Sequence, residues 1–206
     1  MIDATQRREK YGGRRFGRSP ALTMLLAVVL TVQTLLLPPP SAQAAPEAMT
    51  GAGTPGNPYI VTNAGQLNQV RDNLTASYKL GNDIALSGEW TPIGNYNSYG
   101  FWFTDPFTGR FDGAGHTITG LAVHTDQSYA GLFGWIGSSG VVENLTLQGP
   151  DIAGNGFMTM GVGALAGKLE GTVRNVHAEE GTVTNDGFAD TGGLVGTGEA
   201  DALIEG

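Results

Sequence analysis

One phrase recurs three times between residues 131 and 206: Gly131-Leu132-Phe133-Gly134, Gly163-Ala164-Leu165-Ala166-Gly167 and Gly193-Leu194-Val195-Gly196. A second runs in step with it: Val142-Glu143-Asn144-Leu145-Thr146-Leu147, Val173-Arg174-Asn175-Val176-His177-Ala178 and Ile204-Glu205-Gly206. Val142, Val173 and Ile204 are spaced by 31 positions each time. An earlier relative of the second phrase, Ile118-Thr119-Gly120-Leu121-Ala122-Val123, begins 24 positions before Val142. Self-similarity at such a period marks an array of stacked units, none of which buries its apolar face alone.

Each unit alternates apolar and polar residues over about six positions and then breaks at Gly, Asn or Asp, the pattern of a strand with one face inward. No window after Asn73 sustains an apolar 3.6-residue period, which disfavours helical repeats. The expected fold is therefore all-β, a β-solenoid with coils about 4.8 Å apart held by parallel backbone pairing. The repeat glycines are expected at corners of positive φ, and Asn144 and Asn175 as an inward or corner ladder. The competing architecture is a β-sandwich with irregular Gly-rich loops, in which Val142 and Val173 would face each other from opposite sheets.

The Gly-Leu-x-Gly phrase followed by Val-x-Asn-Leu resembles the Glug repeat of bacterial surface proteins. Upstream, Tyr78–Leu86, Trp90-Thr91-Pro92-Ile93-Gly94 and Phe111–Ile118 are similar to the lead-in of that family, so the resemblance covers about Pro55 to Gly206. It implies a right-handed parallel β-helix in large secreted or wall-associated proteins, some of them proteases in which the repeat is not the catalytic part. Gly163-Ala164-Leu165-Ala166-Gly167 departs from the motif, with Ala where the others have Phe or Val, which predicts a thinner core layer in that coil.

Residues 1–19 carry Arg7, Arg8, Lys10, Arg14, Arg15 and Arg18 against Asp3 and Glu9; residues 21–37 have no charge, and Ala-x-Ala follows at Ala42–Ala44. This is the order of a secretory signal, with cleavage expected between Ala44 and Ala45. The competing reading is an uncleaved anchor, for which the apolar run is short and interrupted by Thr31, Gln33 and Thr34. Arg14-Arg15-Phe16 is a weak hint of a twin-arginine signal. The organisation expected is a signal at 1–44, a flexible Pro/Gly-rich lead at 45–58 and a β-helix at 59–206. Gly206 falls just inside a strand phrase, so a fragment of a longer protein is expected.

The segment 1–44 holds 6 of the 11 Lys and Arg and 2 of the 19 Asp and Glu, leaving 5 and 17 in residues 45–206. That balance of about −12 repels phosphate backbones, excluding nucleic acid as a partner, and no polybasic stretch holds the processed chain on a membrane. The absence of cysteine excludes disulfides, thiol catalysis and Cys-ligated metal. Stability must come from stacking.

Asn63 is expected to cap a short helix with Gln66 completing the box, and Leu67, Val70 and Leu74 form one apolar stripe suited to covering the first coil. Residues 95–111 are the most aromatic region. Tyr96, Tyr99, Trp102 and Phe103 are the candidates for stacking on sugar rings; packing of this loop on the coil beneath is the alternative. For polysaccharide cleavage the candidate carboxylates are Asp112, Asp126, Glu143 and Glu170, with His116, His124 or Arg174 as partners. Glu143 and Arg174, one coil apart, are expected to pair as a cross-strand ion pair. The three histidines lack zinc-ligand spacing, the acidic run 186–190 lacks the calcium-loop pattern, and nucleotide and zincin motifs are missing. The sequons at Asn73 and Asn144 read as coincidence. The function expected is that of an exported, non-enzymatic surface or adhesion module without cofactor, its partners being glycans or host or wall components. A polysaccharide lyase or hydrolase, or the accessory part of a larger surface protease, stands as the alternative.

Overall fold

In the computed structural model, which describes residues 47–94, 105–126 and 128–206, Val142 and Val173 lie side by side in neighbouring parallel strands, and Ile204 follows Val173 in the same register. The sandwich is thereby excluded and the chain is a parallel β-solenoid of about four turns.

The wall begins with β1 (Tyr59–Val61), which the helix α1 (Ala64–Gln69) and a 3-10 turn at Val70–Asp72 follow. The N-cap forms as expected: Asn63 Oδ1 accepts the Gln66 N–H at 2.9 Å. The reciprocal contact is displaced by one residue, since Gln66 Oε1 takes the Thr62 N–H (2.7 Å) rather than that of Asn63. Leu67 and Val70 are fully buried in the same apolar cluster as Tyr78, so this helical segment fills the N-terminal end of the solenoid. Residues ahead of β1 fold back over its free edge, with Ile60 N donating to Thr50 O (2.8 Å) and Ser77 N to Gly53 O (2.8 Å). An edge strand so covered cannot recruit another chain.

The first coil contributes β2 (Ser77–Leu80) and β3 (Ile84–Ala85), with the bend at Gly81–Asp83 between them. The second contributes β4 (Arg110–Asp112), β5 (Thr117–Thr119), β6 (Ala122–Thr125), β7 (Tyr129–Ala130) and β8 (Phe133–Ile136). The third consists of β9 (Val141–Gln148), β10 (Asp151–Gly154), β11 (Gly161–Val162) and β12 (Ala166–Leu169). The fourth consists of β13 (Thr172–Glu179), β14 (Thr182–Asn185), β15 (Asp190–Thr191) and β16 (Val195–Gly198); β17 (Leu203–Glu205) follows. Stacking gives one eight-stranded sheet through β1-β2-β4-β9-β13-β17, with β3 and β5 joined to it, and three-stranded sheets β6-β10-β14, β7-β11-β15 and β8-β12-β16. Every pairing between these strands is parallel.

The earlier phrase aligns differently from expectation. Phe111, not Ile118, stacks on Val142, and Ile118 stacks on Leu147. The turn Asp112–His116 lengthens this corner: seven positions separate Phe111 from Ile118, against five from Val142 to Leu147. The 31-residue step is likewise a net value. Val123 pairs with Ile152, 29 positions on, and Phe133 with Ala166, 33 on, three of the four extra residues sitting in the loop at 155–160 and the fourth at 163–165. Ala166 is fully buried between Phe133 and Val195, so the small residue keeps the register.

The core is continuous, from Tyr78, Phe111, Val142 and Val173 on one wall to Ile136 and Leu169 on another. Each such side chain fully removed from water contributes roughly 1.5–3 kcal/mol. Phe107 and Phe111 at the end of the aromatic region belong to this core, with ring centroids 5.0 and 5.7 Å from Phe133. Burial pushes the Tyr78 phenol up to about 12, helped by Tyr59 and Asp72, and its hydroxyl donates to Asn73 O at 2.7 Å.

Of the repeat glycines, Gly131 has the expected positive φ (159°), and the others do a different job. Left-handed backbone at the corners is supplied by residues that include Asn144 (φ 53°), Asn175 (φ 48°), Gly120 (φ 69°), Gly149 (φ 61°) and Glu180 (φ 53°). Gly163, Gly167 and Gly196 serve close approach: a Cβ on Gly167 would stand 2.6 Å from Tyr129 Cβ, and one on Gly196 would stand 2.4 Å from Val162 N. A Cβ on Gly193 would meet nothing within 4 Å.

Candidate functional site

The outer face of the large sheet carries the polar residues of the alternation, and parallel stacking turns each position into a row. Lys79, Asp112, Glu143, Arg174 and Glu205 form one such row across β2, β4, β9, β13 and β17. Beside it runs a corner row: Asn175 Nδ2 donates to Asn144 Oδ1 (3.1 Å), and Asn144 Nδ2 donates to Asp112 Oδ1 (3.0 Å). The expected asparagine ladder is thus at the corner rather than inside, and Asp112 is its foot, also accepting the Ala114 N–H (2.8 Å).

The expected Glu143–Arg174 pair does not form. Glu143, only 7% exposed, is paired with Arg110, which reaches it diagonally from β4. Arg174 pairs with Glu205 at 2.7 Å on its other side. The reason is geometric. A residue in a parallel row has a neighbour above and one below, and diagonal reach adds more, so sequence period alone does not choose among them.

The remaining candidates are dispersed over other corners. His116 Nδ1 lies 3.1 Å from Asp83, whose carboxylate also accepts the Thr117 N–H at 3.0 Å. That backbone bond, then the His116 contact, hold Asp83 below its ordinary carboxylate pKa. His124 lies 2.8 Å from Glu89 through Nδ1 and 3.4 Å from Asp151 through Nε2. The hydrogen bond to Glu89 raises the imidazole above its ordinary value, and the same contact lowers Glu89. Glu170 pairs with Lys168 (2.9 Å), which also reaches Glu199 (3.1 Å) and lies 4.5 Å from the Trp135 ring centre. Burial works against the Lys168 charge, but its carboxylate partners outweigh it and leave its pKa raised. Asp126 is exposed just past β6.

One pair of candidate carboxylates is brought together, Asp112 and Glu143, neighbours in β4 and β9. Both carboxylates are engaged, Asp112 through Oδ1 with the asparagine ladder and Glu143 through Oε1 with Arg110, so the arrangement stitches coils together. Among the described residues no group of three or more His, Asp or Glu side chains is placed to hold a metal ion. Tyr96, Tyr99, Trp102 and Phe103, and the cleavage pair Ala44 and Ala45, lie outside the described residues. No helix among the described residues is long and apolar enough to cross a membrane.

Two phenylalanines that the sequence reading passed over stand out on the surface. Phe157 and Phe188, on the loops joining β10 to β11 and β14 to β15, are 81% and 87% exposed. Their spacing of 31 positions was the available signal.

No family model matches the chain. It is 37% identical over 171 residues to halomucin of Haloquadratum walsbyi, a match that covers 75% of this chain and 2% of that protein. It is 38% identical over 141 residues to a protein of Evansella cellulosilytica named as a Gly-rich membrane protein, covering 64% of this chain and 15% of the relative. The chain therefore spans a small part of the length of these relatives. Among solved structures it is similar to a chain from Bacteroides ovatus described as an immunoglobulin A1 protease, with TM-score 0.56 and 18% identity over 75% of this chain and 57% of that one. That likeness is one of fold.

Proposed function

We propose that residues 45–206 are an exported, non-catalytic β-helix module that acts as a structural and adhesive segment at the cell surface. The observation that carries this reading is the use made of the polar side chains on the outer face. Asp112, Glu143, Glu170, Arg174, His116 and His124 are each engaged across or within coils, which favours scaffolding over a reacting cleft. A relative named as a membrane protein supports a surface setting. The Ala42–Ala44 signal pattern supports export.

Protease treatment of intact cells of the source organism tests the location: loss of the protein, with a cytoplasmic marker spared, is expected, and full protection refutes it. Incubation of the purified chain with a panel of polysaccharides tests the absence of catalysis. Release of reducing or unsaturated ends that Asp112→Ala or Glu143→Ala abolishes overturns the scaffold reading in favour of a hydrolase or lyase.

A further inference from the structure

Phenylalanine is among the residues most often buried, and contiguous exposed apolar groups mark interaction sites. Phe157 shares its loop with Met158 and Met160, themselves 63% and 46% exposed. The rings of Phe157 and Phe188 meet edge to face, centroids 5.7 Å apart at 88°. Their exposure does not come from slack loops. Asn155 N donates to Thr125 O (2.8 Å), Met160 N to Ser128 O (2.6 Å) and Asp186 N to Gly154 O (3.0 Å), so each loop is fastened to the coil beneath it.

We propose that this Phe157–Phe188 ridge is a binding site for a neutral polysaccharide chain running along the solenoid axis. Area and charge select that occupant. Two phenylalanines, each burying at most about 250 Å², and two half-covered methionines fall short of the roughly 800 Å² per partner that a stable protein interface needs. Residues 45–206 carry 17 acidic against 5 basic side chains. Asp186 on the second ridge loop and Asp190, which follows that loop at the start of β15, are exposed and have no ion pair or side-chain hydrogen bond among the described residues. A second copy or a polyanion would bring like charge against them. A neutral sugar meets neither obstacle: its C–H face covers an aromatic ring, and its hydroxyls donate to the free carboxylates. Equivalent loops on successive coils offer a repeating polymer a repeating contact. The site goes beyond the scaffold reading and does not depend on it.

The test is affinity electrophoresis of the full chain in gels containing hydroxyethylcellulose, mixed-linkage β-glucan, mannan or polygalacturonate, with light scattering alongside. At least one neutral polymer is expected to retard the protein. Phe157→Ser/Phe188→Ser should weaken that retardation at least tenfold with thermal unfolding unchanged, and Asp186→Asn should weaken it less. Retardation by none of the neutral polymers, by polygalacturonate alone, or equally for the double variant overturns the proposal. A dimer that the double variant dissolves also overturns it, making the ridge a contact between copies. None of these outcomes touches surface location or the lack of catalysis.

Discussion

Asn175 Nδ2 donates to Asn144 Oδ1 at 3.1 Å, and both asparagines hold left-handed backbone, with φ of 48° and 53°. Each therefore does two things at one corner: it supplies a conformation that costs most side chains roughly 1–2 kcal/mol, and it fastens its coil to the next. Asn144 sits between Asp112 and Asn175 and has both a donor and an acceptor in use. Asn144→Ala is expected to destabilise the protein by about 3 kcal/mol, from backbone strain and lost hydrogen bonds together. Asn144→Gly keeps the backbone relaxed and should cost about half as much. Urea unfolding followed by circular dichroism separates the two; equal midpoints for Ala and Gly would mean that φ is not the issue.

The arginines give a second contrast. Glu143 is buried and paired with Arg110, while Arg174 and Glu205 are both substantially exposed. Removing Arg110 strands a buried carboxylate, so Arg110→Ala should cost about 2 kcal/mol. Arg174→Ala removes an exposed pair and should cost less than about 1 kcal/mol. Chemical denaturation of the two variants in parallel checks the order, and the reverse order would restore the Glu143–Arg174 pairing that the repeat spacing predicts.

How far the sequence reveals this molecule depends on what repeats. Val142 and Val173 are buried in the core and Ile204 pairs in the same row, so the 31-residue register was legible and with it the solenoid. Where a corner lengthens, as at Asp112–His116, the letters still match but the pairing shifts, and Ile118 comes to rest on Leu147. The glycines were legible as positions but not as reasons, because a letter does not distinguish a left-handed residue from one that lacks room for a Cβ. Partner choice on the outer face was the least readable. It is set by side-chain reach across rows, which brings Arg110 to Glu143 and Glu89 to His124. The phenylalanine ridge shared the repeat spacing, but exposure of an apolar residue is visible only once the fold is known.

The corner at His124 should respond to pH. Contact with Glu89, and after it with Asp151, raises the imidazole above 6.5, and His124 lowers Glu89 below 4.5. A raised histidine contributes stability that is complete below 6.5 and fades as pH climbs through its folded value; a lowered glutamate contributes stability that is complete above 4.5 and fades as pH falls through its folded value. Their joint contribution is therefore greatest between about pH 4.5 and 6.5. An NMR titration should place the His124 midpoint above 6.5, and Glu89→Gln should bring it down. A midpoint that ignores Glu89→Gln would show that the contact is not held in solution.

Two glycines of the same motif phrase should answer substitution in opposite ways. Gly167 lies where β12 passes under β7 and β11, and an added Cβ would fall 2.6 Å from Tyr129 Cβ, 2.7 Å from Gly161 O and 2.8 Å from Ala130 N. Two of these are backbone atoms fixed by coil stacking, so the neighbours cannot move aside, and Gly167→Ala should cost about 2–3 kcal/mol. Gly193 opens the corresponding phrase in the next coil with nothing within 4 Å of its added Cβ. Gly193→Ala should be neutral or stabilising by about 0.5 kcal/mol, through the lower entropy of the unfolded chain. Thermal unfolding of both variants decides the matter. If Gly193→Ala is as damaging as Gly167→Ala, the motif glycines are required for backbone conformation after all, and close approach between coils is not what selects them.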